Sequence, residues 1–148
     1  MNSTLHVRPA LDDVRIHVRF KLSALWASVM FCYIYADYFG LYVPGALSSM
    51  LAGRMEPLGA VSQQVLLGAS LMLAIPSVMI FLSLTLSPVL NRWLNIVCGV
   101  LYTLIILVTM WRWAFFVFYG IVEVALTCLA VWYASTWPRQ NSAQPAVA

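Results

Sequence analysis

Residues 57–91 have the sequence PLGAVSQQVLLGASLMLAIPSVMIFLSLTLSPVLN, without a single aspartate, glutamate, lysine or arginine. A helix needs about 20 mostly apolar residues to cross the hydrocarbon core of a bilayer, which is roughly 30 Å thick. This stretch is long enough for such a helix, which we place at residues 61–86. The stretch therefore predicts a chain that lies in a membrane.

The composition of the whole chain agrees with this prediction. Hydrophobic residues make up 63% of the 148 residues and charged residues 9%, whereas soluble domains have about 45–50% and about 25%. So few charges cannot cover the surface of a soluble fold. The same numbers exclude a disordered chain, a disulfide scaffold and a nucleic-acid-binding protein. We expect the lipid bilayer to be the main partner of this chain.

Three further stretches are long and apolar enough to cross a membrane, at residues 22–43, 89–110 and 113–137. Their sequences lack the alternation of polar and apolar residues that is typical of membrane β-strands. The predicted fold is therefore all-α, an integral membrane bundle of four transmembrane helices. The bundle spans residues 22–137, between an N-terminal segment at 1–21 and a tail at 138–148.

The last two predicted helices need a boundary, and the sequence offers two places for it. Arg112 lies between Trp111 and Trp113, and because tryptophan and arginine both favour the membrane interface, this tripeptide predicts a tight turn at the surface. Gly120 is the alternative position for the turn, but a turn there would place Arg112 inside the membrane. We therefore prefer the turn at Trp111–Trp113, and both tryptophans are predicted interface anchors.

The distribution of lysine and arginine predicts the orientation. One side of the predicted membrane carries six of them and the other side two, and basic residues favour the cytoplasmic side. The six are Arg8, Arg15, Arg19, Lys21, Arg92 and Arg139, and the two are Arg54 and Arg112. Both termini are therefore expected in the cytoplasm, which agrees with an even number of helices. Arg92 and Trp93 are predicted anchors at the cytoplasmic interface, and a gate or partner contact is the alternative for Arg92.

Two acidic residues lie inside predicted helices, Asp37 and Glu123. A charged side chain at the bilayer centre costs about 2.5–3.5 kcal/mol, so each of them must face the bundle, water or a partner. From the outer surface they lie about 9 Å and about 15 Å deep. Tyr33 and Tyr119 precede them by one helical turn, and Arg112 lies above them at the surface. These five residues predict a polar pocket that opens outward. Gln64, Tyr102 and Thr103 lie at comparable depths on the other predicted helices.

Two interpretations of this pocket remain open. In one, the carboxyl groups bind a proton, a cation or a small polar ligand. In the other, they hold helices together by pairing with Arg112 and tyrosine hydroxyl groups. Replacing Asp37 and Glu123 by asparagine and glutamine separates the two, because only the second interpretation predicts a loss of stability.

Other features of the sequence predict packing. Pro76 removes one hydrogen bond from the second helix, and Gly68, Ala69 and Ser70 allow a close approach of helices there. The three cysteines lie in separate helices and are interpreted as small apolar side chains. We find no catalytic motif, no metal-ligand spacing and no cofactor motif. The sequence therefore predicts no enzyme, no metal and no cofactor.

Short motifs in a fixed order resemble a known family. They are Leu25-Trp26, Ile34-Tyr35-Ala36-Asp37, Ile75-Pro76, Leu90-Asn91-Arg92-Trp93, Asn95-Ile96, Glu123-Val124 and Trp132-Tyr133. Together they resemble a family of small bacterial four-helix membrane proteins that is catalogued only as a domain of unknown function. The resemblance runs from about Lys21 to Trp137 and implies an inner-membrane location, without implying an activity. This chain has Ala74 where the family pattern has an acidic residue before Ile-Pro.

These observations lead to two expected functions. The first is transport of a small solute linked to a proton or cation, with Asp37 and Glu123 as exchangeable carboxyl groups and Arg112 tuning them. The second is an accessory or scaffold subunit of a larger membrane complex. We expect a homo-oligomer or a membrane-protein partner in either case, and an intramembrane enzyme is a distant third alternative.

Overall fold

The computed structural model describes residues 15–55 and 58–138. Five helices and two short strands follow one another in this part of the chain: α1 (Val18–Gly40), α2 (Ala46–Leu51), β1 (Arg54–Met55), β2 (Gly59–Ala60), α3 (Gln63–Thr85), α4 (Pro88–Thr109) and α5 (Ala114–Ser135). The strands pair antiparallel, with Arg54 opposite Ala60. The predicted segments before residue 15 and after residue 138 lie outside the described residues.

Four of these helices, α1, α3, α4 and α5, are long and apolar enough to cross a membrane. The predicted all-α bundle of four such helices is confirmed. Its α1 begins one turn earlier than predicted, at Val18, since the imidazole of His17 accepts a hydrogen bond from the backbone N–H of Arg19. The turn between α4 and α5 lies at residues 110–113, and Gly120 is inside α5.

The four long helices run alternately up and down around one core. Helix α1 packs against α3 and α5, and α4 packs against α5. We call the end of the bundle at which α1 begins the termini end, and the end at which α1 finishes the loop end. The largest buried cluster lies near the middle of the bundle and consists of Trp26, Met79, Cys98 and Tyr102.

Two glycines let neighbouring segments come close at the α4–α5 pair. A methyl group on Gly99 would lie 2.6 Å from Cγ2 of Val131, and one on Gly120 would lie 2.7 Å from Cβ of Met110. Gly68 has no such neighbour within 4 Å among the residues that the structure describes. The prediction that Gly68 marks a close helix approach is therefore wrong, because its side of α3 faces outward.

Pro76 lies inside α3 without interrupting it. Proline has no backbone N–H, so the carbonyl of Met72, four residues earlier, loses its partner within the helix. The hydroxyl of Tyr102 on α4 donates a hydrogen bond to this carbonyl. A neighbouring helix thus satisfies the backbone group that the proline leaves open, as helices in a membrane require.

We expect the Tyr102→Phe variant to lower the free energy of unfolding by about 1 kcal/mol, because the Met72 carbonyl then stays unsatisfied. In a Pro76→Ala background, α3 closes its own bond to Met72, and the same substitution should cost much less. Unfolding of the four proteins in mixed micelles measures this coupling. Equal costs of Tyr102→Phe in both backgrounds would contradict the interpretation.

Candidate functional site

Glu123 is the buried acidic residue of the bundle. It lies on α5 with 5% of its surface exposed, and the hydroxyl of Thr127, one turn further along, donates a hydrogen bond of 2.9 Å to its backbone carbonyl. No side chain within residues 15–55 and 58–138 hydrogen-bonds to its carboxyl group. Most of the residue is therefore enclosed by protein, whereas its carboxyl oxygens keep some accessible surface and have no hydrogen-bond partner in the described part of the chain.

Asp37 lies on α1, opposite Glu123, and the two carboxyl groups interact electrostatically. Tyr33 precedes Asp37 by one turn and is also within electrostatic range of Glu123. The spacing of seven and four residues places Trp26, Tyr33 and Asp37 on one face of α1. Asp37 therefore belongs to the core-facing side of its helix.

Asp37 is nevertheless exposed, whereas Trp26 on the same face is 1% exposed. Helix α3 accounts for this difference. Its fully buried residues are Pro76, Met79 and Ser83, all in the half toward the termini end. Residues 63–75 of α3 contribute no fully buried side chain, so the bundle is packed tightly at one end and is more open beside Asp37.

An aromatic groove lies at the loop end, along the seam of α1 and α5. Its volume is about 450 Å³, and its walls are Phe39, Tyr42, Val43, Pro44, Trp113, Phe115, Phe118 and Tyr119. The rings of Phe39 and Tyr119 stack at 6.4 Å across the seam. Neither Glu123 nor Asp37 is among the lining residues, but Tyr119 lies one helical turn before Glu123 on α5, which is about 6 Å along the helix axis.

The five residues of the predicted pocket occupy different positions around this seam. Tyr33, Asp37 and Glu123 form the electrostatically linked group, and Tyr119 is a wall of the groove. The guanidinium group of Arg112 lies over the ring of Phe116, 5.7 Å from its centre. The aromatic groove itself was not predicted. The only signal in the sequence is the density of aromatic residues at 113–119, which also fits an interfacial belt.

A second set of polar side chains is buried toward the termini end of the bundle. The sequence did not predict that these side chains form a hydrogen-bonded network. Asn95 accepts a hydrogen bond of 2.7 Å from the indole N–H of Trp26, and its amide donates to the side chain of Asn91 at 2.7 Å. The amide of Asn91 donates to the carbonyl of Ser83 at 2.6 Å. Each of these amides has both donor and acceptor partners, so the network joins α1, α3 and α4 and has no vacant position for a ligand.

The family of this chain follows from its sequence as a whole. Residues 12–144 match a family whose description is "Family of unknown function (DUF6326)". The chain is a member of DUF6326. This confirms the resemblance found from the short motifs, and it assigns no activity. Neither a curated protein nor a solved structure matches the chain.

The predicted interface anchors of this DUF6326 member lie near the two ends of the bundle. Trp93, Trp111 and Trp113 are all exposed. Arg92 donates a hydrogen bond of 3.0 Å to the carbonyl of Ser135, at the C-terminal end of α5. Arg19 donates a similar hydrogen bond to the carbonyl of Leu84 at the end of α3. Both arginines thus bind carbonyl groups at helix ends, where the helix dipole attracts positive charge.

The remaining predicted pocket residues of the DUF6326 chain have other roles. Tyr102 binds the Met72 carbonyl, and Thr103 and Thr127 share a hydrogen bond of 2.7 Å between α4 and α5. Gln64 is exposed at the start of α3. Over residues 15–55 and 58–138, no cluster of histidine, cysteine and acidic side chains is suited to hold a metal ion.

Proposed function

We propose that the protein is a multi-pass protein of the bacterial inner membrane, with both termini in the cytoplasm. The six-to-two distribution of basic residues supports this orientation. In this orientation, the termini end of the bundle faces the cytoplasm. The aromatic groove and the open side next to Asp37 face outward.

Its function in this proposal is proton-linked transport of a small solute, without enzymatic activity. The observation that carries the proposal is the carboxyl group of Glu123, which is buried next to Asp37 and has no hydrogen-bond partner among the described side chains. An acidic residue in such a place is costly. Proton relays in membrane proteins use acidic residues in this setting, facing the bundle interior.

In this mechanism, Glu123 is the site that holds the transported proton. Asp37 is exposed and electrostatically linked to Glu123, so it is placed to pass the proton between the outer medium and the buried site. In this mechanism, the fully hydrogen-bonded amides of Asn91 and Asn95 close the path toward the cytoplasm. A complete transport cycle therefore requires α3, the least tightly packed of the long helices, to move.

An accessory subunit of a larger complex is the second candidate. It is favoured by the surface of α3, on which large apolar side chains are exposed along the whole helix, among them Leu67, Leu71, Val78 and Phe81. Such a surface fits lipid, a second copy of the chain or another membrane protein. Purification in a mild detergent distinguishes these cases, because only an accessory subunit brings an unrelated protein in fixed ratio.

We expect the Glu123→Gln variant to lose proton uptake while it keeps the fold. Glutamine has nearly the same shape as glutamate but cannot exchange a proton. The measurement is the internal pH of dye-loaded liposomes after a membrane potential is imposed. The rate for Glu123→Gln should fall to that of empty liposomes, and Asp37→Asn should slow uptake to an intermediate rate.

The control for this experiment is Ser70→Ala. Ser70 is exposed on α3, and among the described residues its hydroxyl bonds only to the Leu66 carbonyl of its own helix, so its removal should change neither transport nor stability. Proton uptake by Glu123→Gln at the wild-type rate would overturn the proposal. So would a large drop in its unfolding temperature, because the carboxyl group would then hold helices together.

A further inference from the structure

Most of the side chains that line the aromatic groove are aromatic, and the others are apolar. Six of its eight lining residues are aromatic, from the ends of α1 and α5 and the segments next to them. Aromatic rings carry negative charge on their faces and attract cations that have lost part of their hydration. A volume of about 450 Å³ is within the range of about 300–1,000 Å³ that is typical of sites for drug-sized molecules.

We propose that this groove, together with Glu123 and Asp37, binds a lipophilic organic cation, such as a quaternary ammonium or phosphonium ion with apolar substituents. The proposal rests on the proposed function and names the solute that exchanges with the proton. The groove takes up the apolar substituents of the cation, and the carboxyl groups supply the opposite charge.

The charge of the described residues favours a cation over a neutral or anionic molecule. Asp37 and Glu123 are the only acidic residues within 15–55 and 58–138, and both belong to this seam. The guanidinium group of Arg112 is directed to Phe116, which does not line the groove. In the described part of the chain, no cationic side chain is among the residues that line the groove.

Tyr119 connects the two parts of the site. It lines the groove and stacks on Phe39, and it lies one turn before Glu123 on α5. Four residues correspond to about 6 Å along a helix, so a cation on the ring of Tyr119 is near the buried carboxyl group. When such a cation approaches, it displaces the proton of Glu123. The same carboxyl group thus serves the cation and the proton in turn.

The test compares two ions of nearly equal size and shape and of opposite charge, tetraphenylphosphonium and tetraphenylborate. Calorimetry measures their binding to the full-length protein in nanodiscs, against empty nanodiscs. We expect the phosphonium ion to bind and to release protons into a weakly buffered medium. The borate ion should show only the partition into lipid that empty nanodiscs also show.

Three variants locate the site. Glu123→Gln and Asp37→Asn should each weaken phosphonium binding by about tenfold or more, because each removes an opposite charge from a weakly hydrated site. Tyr119→Leu should weaken it by about threefold to tenfold, the range of a single cation–π contact. Tyr119→Phe keeps the ring and should bind nearly as the wild type does, and Ser70→Ala is again the control.

Several results would overturn the inference. Equal binding of both ions, or phosphonium binding that neither carboxyl variant weakens, would show a groove that accepts any apolar molecule. If the Glu123→Gln variant does not fold, phosphonium binding by the Asp37→Asn and Tyr119→Leu variants still tests the inference. Absent phosphonium binding together with carboxyl-dependent proton uptake would reject the organic cation and leave the proton function intact, whereas a loss of both would reject both proposals.

Discussion

We expect the Asn95→Leu variant to lower the free energy of unfolding by about 2–4 kcal/mol, since several buried polar groups would lose their partners at once. Asn95 is 0% exposed. Its oxygen accepts from the indole of Trp26 and the hydroxyl of Ser83, and its nitrogen donates to Asn91. Leucine has the same branched heavy-atom skeleton as asparagine, is larger, and satisfies none of these groups. In lipid, no water replaces the lost hydrogen bonds.

Unfolding in mixed micelles with increasing denaturing detergent measures this effect. Trp26→Phe removes the indole donor and part of the buried ring system, so it should cost about 1 kcal/mol for the hydrogen bond and further stability for the cavity that the smaller ring leaves. The double variant should cost less than the sum of the two, because both single changes remove the same bond. A fully additive double variant, or an Asn95→Leu protein as stable as the wild type, would contradict the role of this network.

The sequence was sufficient to predict the number and approximate position of the long helices. Hydropathy and length report directly on the cost of placing a segment in lipid, and this cost does not depend on neighbouring helices. Asp37 and Glu123 were also found in this way, since an acidic residue in an apolar stretch is visible without any knowledge of packing. The predicted depth of Asp37 was too large, because α1 ends at Gly40, three residues or about 4.5 Å beyond Asp37.

The rotation of a helix could be predicted only where a polar residue marks one side, as Glu123 does for α5. Helix α3 has no charged residue and is apolar around its whole circumference, because lipid-facing and core-facing sides both favour apolar residues. The sequence therefore pointed to Gly68 for a close helix approach, whereas Gly99 and Gly120 have that role. Asn91 and Asn95 were the available signal for α4, because their spacing of four marks one face. In the sequence they entered only as members of the short motifs that resemble the family.

The aromatic groove was missed for a related reason. Phe115 and Phe118 follow Trp113 at the predicted membrane surface, where aromatic residues are common without forming a site. Only the approach of α1 and α5 makes them into walls, with Phe39 on one side and Tyr119 on the other. A site formed between two helices depends on how closely they approach and at which register, and hydropathy does not report on either.

We expect the Gly99→Ala variant to lower the free energy of unfolding by about 2–3 kcal/mol, through overpacking at the α4–α5 pair. The added methyl group would lie 2.6 Å from Cγ2 of Val131 and 3.3 Å from the backbone carbonyl of Thr127. A flexible side chain can move away from the first contact, but the carbonyl belongs to the backbone of α5. The helices must therefore separate, which also lengthens the bond between Thr103 and Thr127.

Gly68→Ala is the matched control, because it introduces the same methyl group into a long helix at a position with no neighbour within 4 Å. It should be neutral or slightly stabilising, since alanine favours the helix by up to about 1 kcal/mol over glycine. Adding Val131→Ala to Gly99→Ala should restore part of the lost stability but not all of it, because the contact with the Thr127 carbonyl remains. Equal effects of the two glycine variants would show that intrinsic helix propensity, rather than the close approach of α4 and α5, determines the change in stability.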